Sequence, residues 1–496
     1  MKEISKTLSL GIFNHNNNNL EVAKDYYKKI LDVNPEHFQT NYLLGNLYAQ
    51  LKDFHNAKKF FQIALNIKPS DKGLLNNLGN VFRELGNNLK AIEYYKKVIK
   101  IDPNYAETLN NLGVSYSKTE SFNKSITLYK KAIVVDPNCV PALNNLGLIY
   151  LKQGKNDKSK KLFLKALKTN PMDINSNLNL ANLFKYKGEY KKAIDLNWKI
   201  IKIDPNFIKS YNNIISIYKL QKKYDEGLSI AFQTLEKKTY NSNTLNLIGS
   251  IYFQLKKFDL ANKYFKKTLD SNNILIRTIS EKFLGIINTK PLPKNDNVNY
   301  LKEFYQSGVK YGWAENEKNY FGRKIIKNQI CSYFKNYKKK TILDLGCGSG
   351  GFGKFLKKYS KTLDGVDILN DFLNFAKKKN VYTNLIHMDC VKYISVNKNK
   401  YDLIVAAAVL LHFSDLEDLF NKIYNSLKKE GYFIFSTFFN DEISIDVDDS
   451  GNFKHSHGYI SKISNNCNFK ICKYSVNVHE INYGAKKKAR VYILKK

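Results

Sequence analysis

Arginine is nearly absent. Of 80 basic residues only Arg83, Arg277, Arg323 and Arg490 carry a guanidinium, and against 44 acidic residues the formal net charge is +36. Nucleic-acid sites lean on arginine for bidentate and stacking contacts. A pI near 9.6 built from lysine therefore reads first as solvated lysine surface and only second as a nucleic-acid surface. The abundant Asn, Ile and Tyr point the same way, since AT-rich codons favour them together with Lys. Cysteine is scarce too: Cys139, Cys331, Cys347, Cys390, Cys467 and Cys472 show no CxxC or Cys/His metal spacing, which excludes zinc ribbons, thioredoxin-like redox sites and a disulfide framework. No apolar run approaches the ~18 residues of a membrane span. The opening MKEISKTLSLGIFNHNNNN lacks a cleavage pattern, so a cytoplasmic address is expected. A 496-residue chain with 25% charged residues and a mean hydropathy of −0.43 is long and apolar enough for two to four folded domains.

Proline is sparse but regular. Six of the nine prolines, Pro35, Pro69, Pro103, Pro137, Pro171 and Pro205, follow one another at a spacing of 34. In that register Gly11, Gly45, Gly79, Gly113, Gly147, Ala181 and Gly249 fill the eighth position, with Ile215 the exception. Ala23, Ala57, Ala91, Ser125, Ser159, Ala193, Gly227 and Ala261 fill the twentieth. Small residues at both places let two helices approach closely, and the proline stops the second helix before the next unit. Tyr48, Tyr116, Tyr150, Tyr218 and Tyr252 are expected between neighbouring units. This pattern resembles the tetratricopeptide repeat family over residues 4–275 as eight tandem units. The resemblance implies an α solenoid whose groove takes a protein or peptide. Thr239 and Asn273 replace the last two prolines, and the apolar segment Ile274 to Ile287 reads as a capping helix. The sixth position of five successive units is Asn77, Asn111, Asn145, Asn179 and Asn213. Such a run is similar to the asparagine ladder in the repeats of O-linked N-acetylglucosamine transferases, which implies amides that read a peptide backbone. Units copied from one another in an Asn-rich chain would share Asn without that purpose.

Two prolines and a polar run in KPLPKNDN, residues 290–297, end the helical pattern. The expected organisation is repeats over residues 1–275, a capping helix and linker over 276–299, and a second domain over 300–496. A fragment beginning near Asn297 is expected to fold and bind its ligand alone. Two aromatic-rich helices precede Lys340. From Thr341 strands and helices alternate: TILDLGCGSGGFGKFL, LDGVDI, NLIHMD, YDLIVAAAVL and GYFIFST supply five strands of a Rossmann-like doubly wound parallel sheet with its site at the strands' carboxyl ends. FKICKYSVNV and ARVYILKK add an antiparallel pair at the sheet edge.

Gly346, Gly348 and Gly351 satisfy G-x-G-x-x-G, and Asp367 lies near the offset of a ribose-binding carboxylate, so NAD is one reading. Asp344, two residues before the first glycine, favours another. It would repel a pyrophosphate on the helix N-terminus but suits an ammonium group, which points to S-adenosylmethionine. LDLGCGSG, LDGVDI, HMDC and YDLIVAAAVLLHF resemble the class I S-adenosylmethionine-dependent methyltransferases across residues 300–496. The resemblance implies that Gly346, Cys347, Gly348 and Gly350 form the cofactor loop and that Asp344 supports the methionine end. It also implies that Asp367 pairs with the ribose hydroxyls, that Ile368 packs on the adenine and that Asp389, with Cys390 beside it, reaches the adenine amino group. Ala407, just after the fourth strand, belongs to the same implied cofactor set. The stretch from Tyr401 to Thr437, with GNFKHSHGYISKI, is similar to methyltransferases that are often fused to such repeats. That branch commonly has Asp where Ala408 stands, so its substrate does not carry over.

For a hydroxyl or amine acceptor a general base contributes about 10²–10⁴-fold. His412, Asp415, His455 and His457 are the candidates, each with an alternative: His412 as a satisfied half-buried histidine, Asp415 as the cap of the helix from Leu416, the other two as loop residues. Tyr311, Trp313, Tyr320 and Phe321 are candidates for an aromatic lid.

Overall fold

The computed structural model describes residues 2–119, 121–288, 296, 298–310, 322–334, 339–441, 444–448, 451–482 and 485–496. The lid candidates and nearly all of the 290–297 segment lie outside them. The chain divides into two units, residues 1–151 with 155–179, and residues 152–154 with 180–496.

In the first unit ten helices, α1 (Lys2–Asn16) to α10 (Asn156–Thr169), run in pairs joined by three-residue turns. Side chains close several turns: Asp53 and Asn87 each accept the amide three residues on, at the N-termini of α4 (Phe54–Ile67) and α6 (Asn88–Ile101). The eighth-position glycines do one job throughout. A Cβ on Gly79, in α5 (Lys72–Glu84), would lie 2.4 Å from the ring of Tyr95 in α6, and Gly45, Gly113 and Gly147 stand likewise against Phe61, Tyr129 and Phe163. The aromatic sixteen residues on thus fills the groove that the glycine leaves. Tyr95 is fully buried and its hydroxyl donates to Asn80 at 2.7 Å. A methyl at position 79 must therefore push a pinned ring, and Gly79→Ala is expected to cost about 1–3 kcal/mol of stability, read by chemical denaturation.

The second unit continues the pairing to α16 (Phe258–Lys266) and then α17 (Ile274–Ile287), the expected capping helix. After α18 (Val298–Lys310) and α19 (Gly322–Tyr333) comes a nine-stranded sheet. Its strands are β1 (Lys340–Leu345), β2 (Ser360–Asp367), β3 (Asn384–His387), β4 (Tyr401–Ala406), β5 (Leu427–Asn440), β6 (Ile445–Val447), β7 (Phe453–Ser456), β8 (Lys470–Asn482) and β9 (Ala485–Lys495). The order is β3-β2-β1-β4-β5-β7-β6, with β9 antiparallel along β5 and β8 antiparallel along β9. The central strands carry unbroken apolar runs because both faces are covered. Leu343, Ile404 and Phe433 pack with Phe420 on one side, and Ile342, Val405 and Ile434 with Ile326 and Ile330 on the other. The five parallel strands and the terminal antiparallel pair are those the sequence predicts; β6 and β7 lie in a stretch that showed no strand pattern.

Those two short strands change the domain picture. Phe283 of α17 shares a hydrophobic cluster with Ile248 and Phe265 of the repeats and with Val447 of β6 and Phe453 of β7. Beside it Lys282 is 0% exposed. It pairs with Asp296 at 2.6 Å, donates to the Gly451 carbonyl at 2.5 Å, and stands over the rings of Tyr300 and Phe453 at 4.6 and 4.5 Å. A fragment begun at residue 297 would lose Asp296 and bare Val447 and Phe453. Among the described residues α17 therefore shares a core with β6 and β7.

Candidate functional site

β1 ends in buried apolar residues and hands the chain to a glycine loop at the carboxyl edge of the sheet. Gly346, Gly348 and Gly350 have φ of +69°, +53° and +74°, a region costly for other residues. A Cβ at Gly346 would meet Val409 at 2.2 Å, whereas at Gly348 nothing lies within 4 Å. The loop backbone thus packs tightly behind and opens in front, as a cradle for a ligand requires.

Three carboxylates stand at or just past the ends of β1, β2 and β3. Asp344 is buried and accepts from the Tyr382 hydroxyl at 2.7 Å. Desolvation raises its carboxyl to about 6 against the partial relief of that hydrogen bond and of the Arg323 charge. Asp367, at the end of β2, accepts from the Gly348 amide at 2.8 Å with one oxygen and from the Leu369 amide at 2.9 Å with the other. Burial again raises its pKa. Ile368 follows, half-buried, its carbonyl taking His387 at 3.1 Å. Asp389 caps α22 (Cys390–Val396) by accepting the Lys392 amide at 3.0 Å. Burial pushes the Cys390 thiol up to about 12 and Cys347 higher still, so neither offers a thiolate. The Ala407 carbonyl accepts from the Ser436 hydroxyl. Two participants escaped the sequence reading. Arg323 in α19 lies where a Gly351 side chain would stand, its Nη1 1.8 Å from the Cβ position, and Tyr382 packs under Gly350, Gly353 and Gly365. A lone arginine in a lysine-rich helix was the only signal for the first; nothing marked the second.

The four expected bases sit in different surroundings. His455 is fully buried, bonded to Thr437 Oγ1 at 3.1 Å and the Ser414 carbonyl at 3.2 Å, and burial pushes it down to about 4. With both ring nitrogens engaged it holds β7 to the Ser414 segment. Asp415 accepts from the Glu417 amide at 3.0 Å and from Tyr459 at 3.3 Å, ahead of α23 (Glu417–Ser426). His457 packs on Tyr474 with ring centres 4.3 Å apart and bonds Tyr492 at 3.1 Å. His412, in the turn after β4, lies 3.0 Å from Asp296 and 2.7 Å from the Tyr305 hydroxyl. Only this last arrangement joins a base to a half-buried hydroxyl near the glycine loop.

In the repeats the sixth-position amides are tied to their neighbours. Asn77 donates to Asn46 at 3.0 Å, Asn145 to Asn110 at 2.9 Å, and Asn213 to Asn182 at 3.1 Å. Asn111 accepts from Arg83 at 3.4 Å, and Asn179 is half-buried. Each of these donated protons already serves inter-repeat packing. Among the described residues no cluster of metal-ligating side chains occurs and no helix is long and apolar enough to cross a membrane.

Family models for a methyltransferase domain match residues 343–435, and models for tetratricopeptide repeats match 8–37, 38–71, 79–120, 118–154, 140–173 and 242–273. A malonyl-[acyl-carrier protein] O-methyltransferase of Priestia megaterium is 34% identical over 117 residues, 23% of this chain and 42% of that protein. A ubiquinone biosynthesis O-methyltransferase of Hydrogenovibrio crunogenus is 25% identical over 23% of this chain and 48% of its own length. The chain thus spans less than half the length of these relatives. A solved tetratricopeptide repeat protein from Parabacteroides merdae superposes with a TM-score of 0.40 at 19% identity, over 51% of this chain and 98% of that one. The chain joins tetratricopeptide repeats to a methyltransferase domain.

Proposed function

We propose that this union of repeats and methyltransferase domain transfers a methyl group from S-adenosylmethionine, with the repeats holding a protein or peptide. What supports the proposal is the open backbone at Gly348, held by Asp367, with Asp344 and Asp389 at the neighbouring strand ends. Asp344 would hold the ammonium and Arg323 the carboxylate of the methionine end, Asp367 the ribose hydroxyls, Ile368 the adenine face and Asp389 the adenine amino group. When bound, the sulfonium supplies an electrophilic methyl and leaves as a thioether, keeping the bonding pair. The chain's own residues then align an acceptor, exclude water and take up a proton.

Asp344 makes the cofactor reading testable by proton linkage. A carboxyl raised from 3.8 to about 6 binds a proton more tightly folded than unfolded. Its stability contribution is therefore present below the unfolded value and lost as pH rises through about 6. An ammonium placed beside it favours the ionised form and reverses the shift. S-adenosylhomocysteine binding is expected to release a proton near pH 6, fading toward about pH 8, seen by calorimetry in buffers of different ionisation heat. Binding heats that ignore the buffer near pH 6 would remove Asp344 from the ammonium site.

The repeat ligand separates protein from nucleic acid. In a lysate pull-down, protein partners are expected to survive physiological salt and nuclease and to weaken when Asn111→Ala and Asn145→Ala are combined. A lysine-driven nucleic-acid surface would instead lose affinity steeply with salt. Ala408 supports a second reading, a cofactor-binding domain without catalysis, because it removes the carboxylate its similar branch places there. Labelled cofactor added to lysate fractions decides between them, and shows whether label enters protein, RNA or small molecules.

A further inference from the structure

Four polar groups run in one connected line from the repeat-capping helix to Tyr305 of α18. Lys282 of α17 pairs with Asp296 Oδ1 at 2.6 Å; Asp296 Oδ2 lies 3.0 Å from His412 Nδ1; His412 Nε2 lies 2.7 Å from the Tyr305 hydroxyl. The Asp296 amide also donates to the His412 carbonyl at 2.9 Å, so Asp296 is fixed to the histidine at two points. Lys282, Asp296 and His412 are buried, while Tyr305 is half-buried. Tyr305 packs edge-on against Phe372 of α21 (Asn370–Lys377), the helix that follows Asp367 and Ile368, at 5.6 Å between ring centres. Tyr305, the half-buried end of the line, thus lies beside the helix that follows Asp367 and Ile368.

The chemistry of the atoms fixes the direction. An ionised carboxylate only accepts, so Nδ1 carries the proton that Asp296 takes; Nε2 is then a lone pair, and the Tyr305 O–H points at it. We infer that Lys282, contributed by the repeat-capping helix, holds a Tyr305–His412–Asp296 proton relay in its neutral, accepting state, and that the acceptor is a nucleophile that must shed a proton. The inference rests on the methyltransferase reading. As the acceptor gains its methyl, its bond to hydrogen breaks and that proton passes to Tyr305 Oη, while the phenol's own proton passes to His412 Nε2. A neutral phenol and an imidazolium beside Asp296 result. A carboxylate acceptor would need none of this.

Lys282 acts by charge. The groups facing the imidazole are Asp296, Lys282 behind it, Tyr305 from α18 and, farther off, Asp367 from the end of β2. A bare Asp296 would favour imidazolium; paired with an ammonium it offers orientation with little net charge. Burial and the Lys282 charge keep His412 below its ordinary value, opposed by Asp296. Loss of the Lys282 charge would shift the balance toward imidazolium, leaving burial alone to oppose Asp296.

The test is an NMR titration of ring-labelled histidine in the full chain, with the His412 signal identified by its loss in His412→Gln. In wild type the signal should be a neutral Nδ1–H tautomer at pH 7. In Lys282→Met its midpoint should rise by about one pH unit or more, and the acid limb of the pH–rate profile should move up with it. Lys282→Arg should keep the wild-type midpoint and Asp296→Asn should lower it; these two variants carry the test if Lys282→Met does not fold. Tyr305→Phe should lower kcat at least about 10-fold yet keep S-adenosylhomocysteine affinity within a factor of about three. An Nε2–H tautomer in wild type, or a midpoint that ignores both charge changes, Lys282→Met and Asp296→Asn, overturns the relay. Failure of S-adenosylhomocysteine to bind overturns the methyltransferase reading instead and leaves the titration standing as its own result.

Discussion

Asp296→Ala is expected to lower the stability of the full chain by about 3–5 kcal/mol, because it strands the charge of a buried partner. Lys282 is 0% exposed and its remaining company would be one carbonyl and two ring faces. Truncation of Asp296 also removes the carboxylate that orients His412 at 3.0 Å. The loss should appear in the second unit's unfolding transition, and a fragment begun at residue 297 should be insoluble or molten. Lys282→Met, which removes the charge and keeps the apolar stem, is expected to cost less than Asp296→Ala, since it leaves a shorter, more easily solvated carboxylate. Equal and small effects, below about 1 kcal/mol, would place the pair in a water-accessible setting where ion pairs contribute little.

Asp367→Ala is expected to weaken S-adenosylhomocysteine binding about 30-fold or more, the equivalent of 2–4 kcal/mol in lost charge-assisted hydrogen bonds. Part of that loss has a structural origin. The carboxylate already accepts the Gly348 amide at 2.8 Å and the Leu369 amide at 2.9 Å, so alanine frees the loop that forms the cradle. Asp367→Asn keeps the size and one acceptor, and is expected to retain most of the thermal stability while losing most of the affinity. A matched loss of both in Asp367→Asn would assign the residue to loop architecture rather than to ribose.

The repeat register was legible because it is a periodic requirement: each glycine at the eighth position must admit a ring sixteen residues on, and Gly45/Phe61, Gly79/Tyr95 and Gly113/Tyr129 repeat that demand. The parallel strands were legible because burial on both faces forces apolar runs such as TILDL. The glycine loop was legible because positive φ at Gly346, Gly348 and Gly350 leaves few other residues admissible. The relay was not. Lys282 sits in an apolar helix of a lysine-rich chain and Asp296 in a polar linker, and neither carries a local pattern; only tertiary folding brings residues 282, 296, 305 and 412 together. β6 and β7 escaped for a related reason. Three or four residues are too few to show a period, and β7 pairs in parallel with the end of β5, sixteen residues earlier. The asparagine run shows the opposite hazard. Its regularity is real, yet the Asn77, Asn145 and Asn213 amides donate to adjacent repeats, so a repeating residue can serve the stack as readily as a ligand. His455 teaches the same lesson: a histidine near a site is a base only if the hydroxyl it accepts from can reach a substrate, and its partner Thr437 is buried.

Calorimetric titration of the wild-type chain with S-adenosylhomocysteine and, in parallel, with NAD tests the central claim most directly. The account predicts saturable one-to-one binding of S-adenosylhomocysteine that Asp367→Asn largely abolishes, and no binding of NAD at the same concentrations. Tight binding of NAD with none of S-adenosylhomocysteine would contradict it.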